Sequence, residues 1–279
     1  MARTVTDLAR LLDVLVGYDR EDALTARGVG HVPDSYKKYL DKNGLKGARI
    51  GILRESMGSG SEPESEDFRK ITAVFDKAVA ELKAAGASLL DPIVIPRLKE
   101  LLARRAGSPT EVDESFKVFF GRSANSPFKS REEIMGSPDF AKVVRYAQER
   151  LRASSDGSRH YQYLMARDEL MINVLKVMAD NKLEAIVYKS IEHQPTVIKD
   201  GINPPFVNTK GAPHLNTFLV FVPAIAVPAG FTSDNLPSGL TFMGRPYDEG
   251  TLIKLAYAYE QATHHRRPPS TTPTLPAEP

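Results

Sequence analysis

The sequence predicts an α/β domain interrupted by a helical insertion. Three observations carry this expectation. Strand-like, helical and again strand-like patterns follow one another between residues 49 and 95, the order of a βαβ unit with parallel strands and a right-handed crossover. Apolar residues recur at helical spacing near both ends, over Val5–Val16 and over Thr251–His264. Between them, residues from about 97 to 180 are helical in character, with breaks at Gly107-Ser108-Pro109, Asn125-Ser126-Pro127 and Gly136-Ser137-Pro138.

In the first helix Thr4 suits the N-cap, and Asp7 is placed to reach back in a capping box. Val5, Leu8, Leu11, Leu12, Leu15 and Val16 form its apolar face, and Gly17 suits the stop. A polar loop with Pro33 and Gly44 leads to the short strand Arg49–Leu53. A Gly/Ser/Glu-rich loop, Glu55 to Glu66, precedes a helix whose apolar side is Phe68, Ile71, Val74, Phe75, Val79 and Leu82. Ala87–Ile95 reads as the second strand. Leu164, Leu170, Val174, Leu175 and Met178 mark a helix over 160–180, and Ala185–Tyr188 a strand. After a Pro/Gly/Asn loop to His214, Phe218–Val227 and Gly239–Met243 are expected as strands. Pro223 and Pro228 cannot donate to a ladder, which places that strand at an edge or gives it a bulge. The Pro/Thr-rich residues 268–279 read as a disordered tail.

Composition narrows the function classes. The 279 residues hold 37 basic and 35 acidic side chains, a near balance that points to no nucleic-acid partner. No apolar run approaches the roughly 20 residues that span a bilayer, so no membrane role is expected. Cysteine is absent, which excludes disulfides and thiolate chemistry and fits a reducing, cytoplasmic setting. No His, Asp or Glu cluster has metal-ligand spacing, and neither a metal nor another cofactor is expected.

Several segments match one family in order and spacing. Met1–Val5 with Leu11–Leu15 and Gly17-Tyr18-Asp19 is similar to the helix after a "GPMART" turn. Arg49–Glu55 resembles that family's next strand. Glu184–Tyr188 resembles its "D-A-L-V-x-P-T" strand, with Lys189-Ser190 where Pro-Thr is common. Val222–Phe231, Leu236–Leu240 and Gly244–Leu252 continue the match into the closing helix. By these motifs the chain resembles the C-terminal half of an amidase signature hydrolase. The resemblance implies a three-layer α/β/α fold with a mixed sheet, incomplete here. Residues 1–267 would be the C-terminal portion of one domain, with the helical insertion at about 97–180. The sheet is expected to lack its central strands, leaving Leu8, Leu12 and Leu15 uncovered.

The family cleaves amides with a Lys-Ser-Ser triad, a serine nucleophile activated through a second serine and a lysine. Those residues lie upstream of the matching turn, so the resemblance assigns no catalytic residue here. It implies an amide hydrolase fragment inactive alone, with a small amide or peptide amide as substrate and possible complementation by an N-terminal half. Alternatives are one half of a split amidase or amidotransferase, and a non-catalytic binding protein.

Other candidate motifs give weaker expectations. Gly58-Ser59-Gly60-Ser61 reads as a flexible turn, and Ser35-Tyr36-Lys37-Lys38 as a solvated basic loop, because their partner motifs are missing. His264-His265 with Arg266-Arg267 suits the carbonyl end of the closing helix. Substrate contact is expected from Phe119 and Phe120 in the insertion and from His193, His214 and Asn216. The last three lie in the long loop after a strand, where α/β sheets often place ligands.

Overall fold

Strands β1 (Arg49–Leu53), β2 (Ser88–Ile93), β3 (Ala185–Lys189), β4 (Ala224–Phe231) and β5 (Pro237–Met243) form one sheet in the order β2-β1-β3-β5-β4. β1 runs parallel to both β2 and β3, while β5 runs antiparallel to β3 and β4. The structure, a computed structural model, describes residues 1–58, 60–105, 120–122, 124–143, 145–152, 157–203, 210–213, 215–219, 222–269 and 271. They fall into two compact units, one of 1–96 with 173–279 and one of 97–172.

The parallel β1–β2 pair is the predicted βαβ unit, closed by α2 (Glu66–Ala84). Ser65 Oγ accepts the Phe68 amide at 3.1 Å, and Glu66 and Asp67 place negative charge at the helix's positive end. α2 buries Ile71, Val74, Phe75, Ala78, Val79 and Leu82, the stripe that its spacing predicts. Gly86, at φ +99°, turns the chain into β2.

Helices α1 (Val5–Leu15), α2 and the closing helix (Glu249–Thr263) share one core with one face of the sheet. That face presents Ile50, Ile52, Ala185, Val187, Ile225, Val227, Leu240 and Phe242. The ring of Phe242 meets Tyr259 edge-on at 6.3 Å, and both are fully buried. Thr4 Oγ1 accepts the Asp7 amide at 3.0 Å, as a cap should. Across the fold, the Val5 amide of the first turn donates to Glu260 of the closing helix at 3.1 Å.

Four expectations are corrected. The five strands form an unbroken ladder, so no strand is missing between them; the open positions are the edges β2 and β4. Leu8 and Leu12 are half-buried against the core, and the exposed apolar residues of α1 are Leu11, Val14 and Leu15. The expected strand from Phe218 begins only at Ala224, after Pro223, while Leu215–Phe218 makes one helical turn. The expected solvated basic loop Ser35–Lys38 is exposed at Lys37 and Lys38 but not throughout, for Ser35 Oγ donates to Asp13 at 2.7 Å and Tyr36 is buried.

Among the described residues β4 pairs only with β5, and its register shifts between Pro228 and Gly230, so it is both edge and bulged, as a proline within a strand leads one to expect. Beyond the closing helix His264 adopts φ +50°. The chain then folds back, and His265 and Arg267 engage neighbouring elements. His265 Nε2 lies 2.8 Å from Glu81, and the Arg267 guanidinium stacks 3.5 Å over the Phe231 ring and bonds Asn235.

The second unit contains α3 (Leu98–Ala103), α4 (Arg131–Met135) and α5 (Arg145–Arg152), and α6 (Gly157–Asp180) begins in it. Arg97, in the left-handed region at φ +56°, pairs with Glu100 and Glu169.

A Cβ at Gly250 would come 2.4 Å from the Tyr39 ring, far inside contact distance. Gly250→Ala is therefore expected to lower stability by about 1–3 kcal/mol through overpacking, even though alanine favours helix by about 1 kcal/mol. Urea unfolding checks this: the midpoint should fall at unchanged slope, and an unchanged midpoint would mean that the Tyr39 ring swings aside.

Candidate functional site

Because β1 and β3 are parallel, their carboxyl ends lie at the same end of the sheet, and the loops that follow them meet there. β3 is buried at all five positions, and its side chains alternate between the two faces. Val187 and Lys189 face the helical core, while Tyr188 and Ser190 face the opposite side, with Thr241 of β5 opposite Tyr188.

On that opposite side the structure builds a row of hydroxyl and amide groups. Tyr188 Oη donates to Asn216 Oδ1 at 3.1 Å, and Ser190 Oγ lies 2.8 Å from Thr241 Oγ1. Burial pushes the Tyr188 phenol well up, so it stays a neutral donor. Small residues border the row: Gly239, whose added Cβ would sit 3.1 Å from Ser190 Oγ, and Ala226, cross-strand from Thr241 and exposed. Hydroxyls and a carboxamide against small side chains can hold a carbonyl or amide by hydrogen bonds.

Beyond the row, the chain after Ser190 is packed among polar groups. Glu192 is 1% exposed and takes hydrogen bonds from the loop after β1. Gly58 and Ser61, read from the sequence as part of a flexible turn, are thus anchored. His193 is buried, with Nδ1 2.7 Å from the Gln194 carbonyl and Nε2 3.3 Å from Asp67 and 3.9 Å from Glu62. Gln194 Nε2 donates to Thr232 at 3.1 Å and to Asp234 at 2.6 Å. Hydrogen bonds from Thr232, Gln194 and Lys70 hold the Asp234 carboxyl down at about 2.

Lys189 is the unexpected member. It is 6% exposed, donates to Thr72 Oγ1 at 3.1 Å and rests 3.8 Å over the Phe68 ring. Burial lowers its pKa from 10.5, against the opposing pull of Glu192 and Asp76. It projects to the face opposite Ser190, so these sequence neighbours do not form a Ser–Lys pair. No group of three or more His, Asp or Glu among the described residues could hold a metal ion.

Of the residues expected to contact substrate, Asn216 joins the hydroxyl row and His193 lies in the polar shell beside it. Phe120 lies in a short 3-10 turn of the helical unit and is 38% exposed. Phe119 and His214 lie outside the described residues. Tyr188 and Thr241 do not stand out in the sequence; for Lys189 and Ser190 the signals are their place where the related motif has Pro-Thr and a lysine closing the apolar run Ala185–Tyr188. Two cavities, of about 410 Å³ and about 200 Å³, lie elsewhere, along β4. The larger is lined by Lys70, Lys77 and Phe231, the smaller by Thr4, Glu260 and His264. Both follow the free margin of the sheet, so the hydroxyl row rather than cavity volume defines the candidate site.

A family model described as Amidase matches residues 1–253. A probable amidase of Arabidopsis thaliana is 28% identical over 284 residues, spanning 96% of this chain and 49% of that protein. A glutamyl-tRNA(Gln) amidotransferase subunit of Chloroflexus aggregans is 31% identical over 281 residues, spanning 96% and 55%. The structure of native peptide amidase from Stenotrophomonas maltophilia superposes with a TM-score of 0.74 at 26% identity, covering 96% and 54%. The chain thus spans about half the length of these relatives.

The buried lysine sets a pH dependence. Between its lowered pKa and 10.5 the unfolded chain keeps a proton that the folded chain has released, so folding stability rises with pH in that window. Relative to Lys189→Met, the wild-type protein should gain stability as pH approaches 10.5. Chemical denaturation across that range tests it, and parallel curves would mean that the folded chain keeps the ammonium charged.

Proposed function

Since this chain belongs to the amidase family, we propose that it is the carboxy-terminal portion of a hydrolase acting on carbon–nitrogen bonds of small amides or peptide amides, inactive on its own. The match of the family model over residues 1–253 carries this reading. The hydroxyl row agrees with it: Tyr188, Asn216, Ser190 and Thr241 offer hydrogen bonds suited to an amide, and Lys189, turned to the other face, is no base for Ser190. In this reading Asn216, His193 and His214 contact the amide, Phe119 and Phe120 supply an apolar wall, and the nucleophile comes from a second segment. The absence of cysteine suits a cytoplasmic setting. Among the described residues no helix is long and apolar enough to cross a membrane.

The open edge of β4 favours a split enzyme as the second reading. An edge strand with unpaired backbone groups and cavities along its flank is where a complementing half would add a strand. The similarity to an amidotransferase component makes the transfer of ammonia to an acceptor the variant of that reading.

Ammonia release from a peptide amide separates these possibilities. The chain alone should be silent, and mixing or co-expression with the amino-terminal half of a family member should restore release. Turnover by the chain alone would overturn the inactive-portion reading. A ligand-dependent rise in Tm with no turnover in either case would make it a binding protein. In a restored enzyme, Asn216→Ala should lower kcat/KM about tenfold or more, the loss of one hydrogen bond worth about 1–2 kcal/mol. An unchanged kcat/KM would remove Asn216 from the site.

A further inference from the structure

The loop after β1 has the form of an anion receptor whose ligand is already in place. The carboxylate of Glu192 takes the Met57 amide on Oε1 at 2.8 Å. Its Oε2 takes the Gly58 amide at 2.7 Å, Ser56 Oγ at 2.8 Å and Ser61 Oγ. Three polar groups converge on Oε2 and a fourth on Oε1. Main-chain packing closes the arrangement. The Glu192 amide donates to the Gly211 carbonyl at 2.8 Å, a Cβ on Gly58 would lie 2.7 Å from that carbonyl, and a Cβ on Gly211 would lie 2.5 Å from His193. Gly211 also has φ +71°, a conformation that favours glycine.

We propose that Ser56, Met57, Gly58 and Ser61 form a carboxylate-binding site and that Glu192 is its tethered ligand, latching together the loops that follow β1 and β3. Backbone amides and hydroxyls converging on one point are the construction used for oxyanions generally. Tethering keeps the carboxylate at high effective concentration, so free anions do not enter while it is present. Removing it leaves the donors in place around a space that a small carboxylate fits. The inference concerns the loop without substrate and stands apart from the amidase reading.

The test is amide hydrogen exchange on the full chain. In Glu192→Ala the Met57 and Gly58 amides should exchange roughly ten- to a hundredfold faster, the range for losing a hydrogen bond to a charged group. Formate should restore protection saturably, chloride at the same ionic strength should not, and the wild-type protein should respond to neither. Unchanged exchange in the variant would overturn the latch. Lost protection that formate fails to restore, or that chloride restores equally, would overturn the receptor. Should Glu192→Ala not fold, the double variant Ser56→Ala, Ser61→Ala keeps the carboxylate and removes two donors. Its Met57 and Gly58 amides should then exchange at least about threefold faster, and wild-type rates there would refute the proposal.

Discussion

β3 is paired on both sides, parallel to β1 and antiparallel to β5, and the surroundings of the candidate site depend on that double pairing. A strand fixed on both edges and buried on both faces cannot slip register without turning every side chain over. A slip of one residue would bring Lys189 to the face of Ser190 and send Tyr188 into the helical core. The parallel partner brings the loop after β1 alongside, and the antiparallel partner sets Thr241 beside Ser190. On one face α2 supplies Thr72 and Phe68 to Lys189, while on the other Asn216, from the helical turn Leu215–Phe218, meets Tyr188, and Thr241 meets Ser190.

The polar groups around β3 are satisfied in two different ways. Glu192 is buried among hydrogen-bond partners, and each of its oxygens is bonded. Lys189 has a single hydroxyl partner and a ring face, and its charge is the one that burial weakens. Two ionisable groups three residues apart thus have opposite environments, set by which face of the strand or loop each leaves.

Much of the architecture is legible in the sequence because it rests on periodicity. The stripe from Ile71 to Leu82, the βαβ order and the edge position of the proline-bearing strand all follow from local rules, and the family motifs extend them over the rest. The start of β4 is hard to place because Leu215–Leu219 is apolar enough to read as strand, while Pro223 is what delays the ladder. Site residues are harder to see. Asn216 and His193 can be placed by their loop, but Tyr188 and Thr241 look like ordinary strand residues until the β3–β5 register sets them opposite one another. The role of Glu192 depends on partners such as Gly58, 134 residues away in sequence, and no local pattern encodes that.

The turn back after the closing helix also fixes an order of events during synthesis. Arg267 covers Phe231 and reaches Asn235, and His265 reaches Glu81 on α2. All three targets leave the ribosome before the residues that fasten them. The residues of the β4–β5 hairpin are therefore made before those that fasten them, and these contacts cannot form until residues 265–267 have been added.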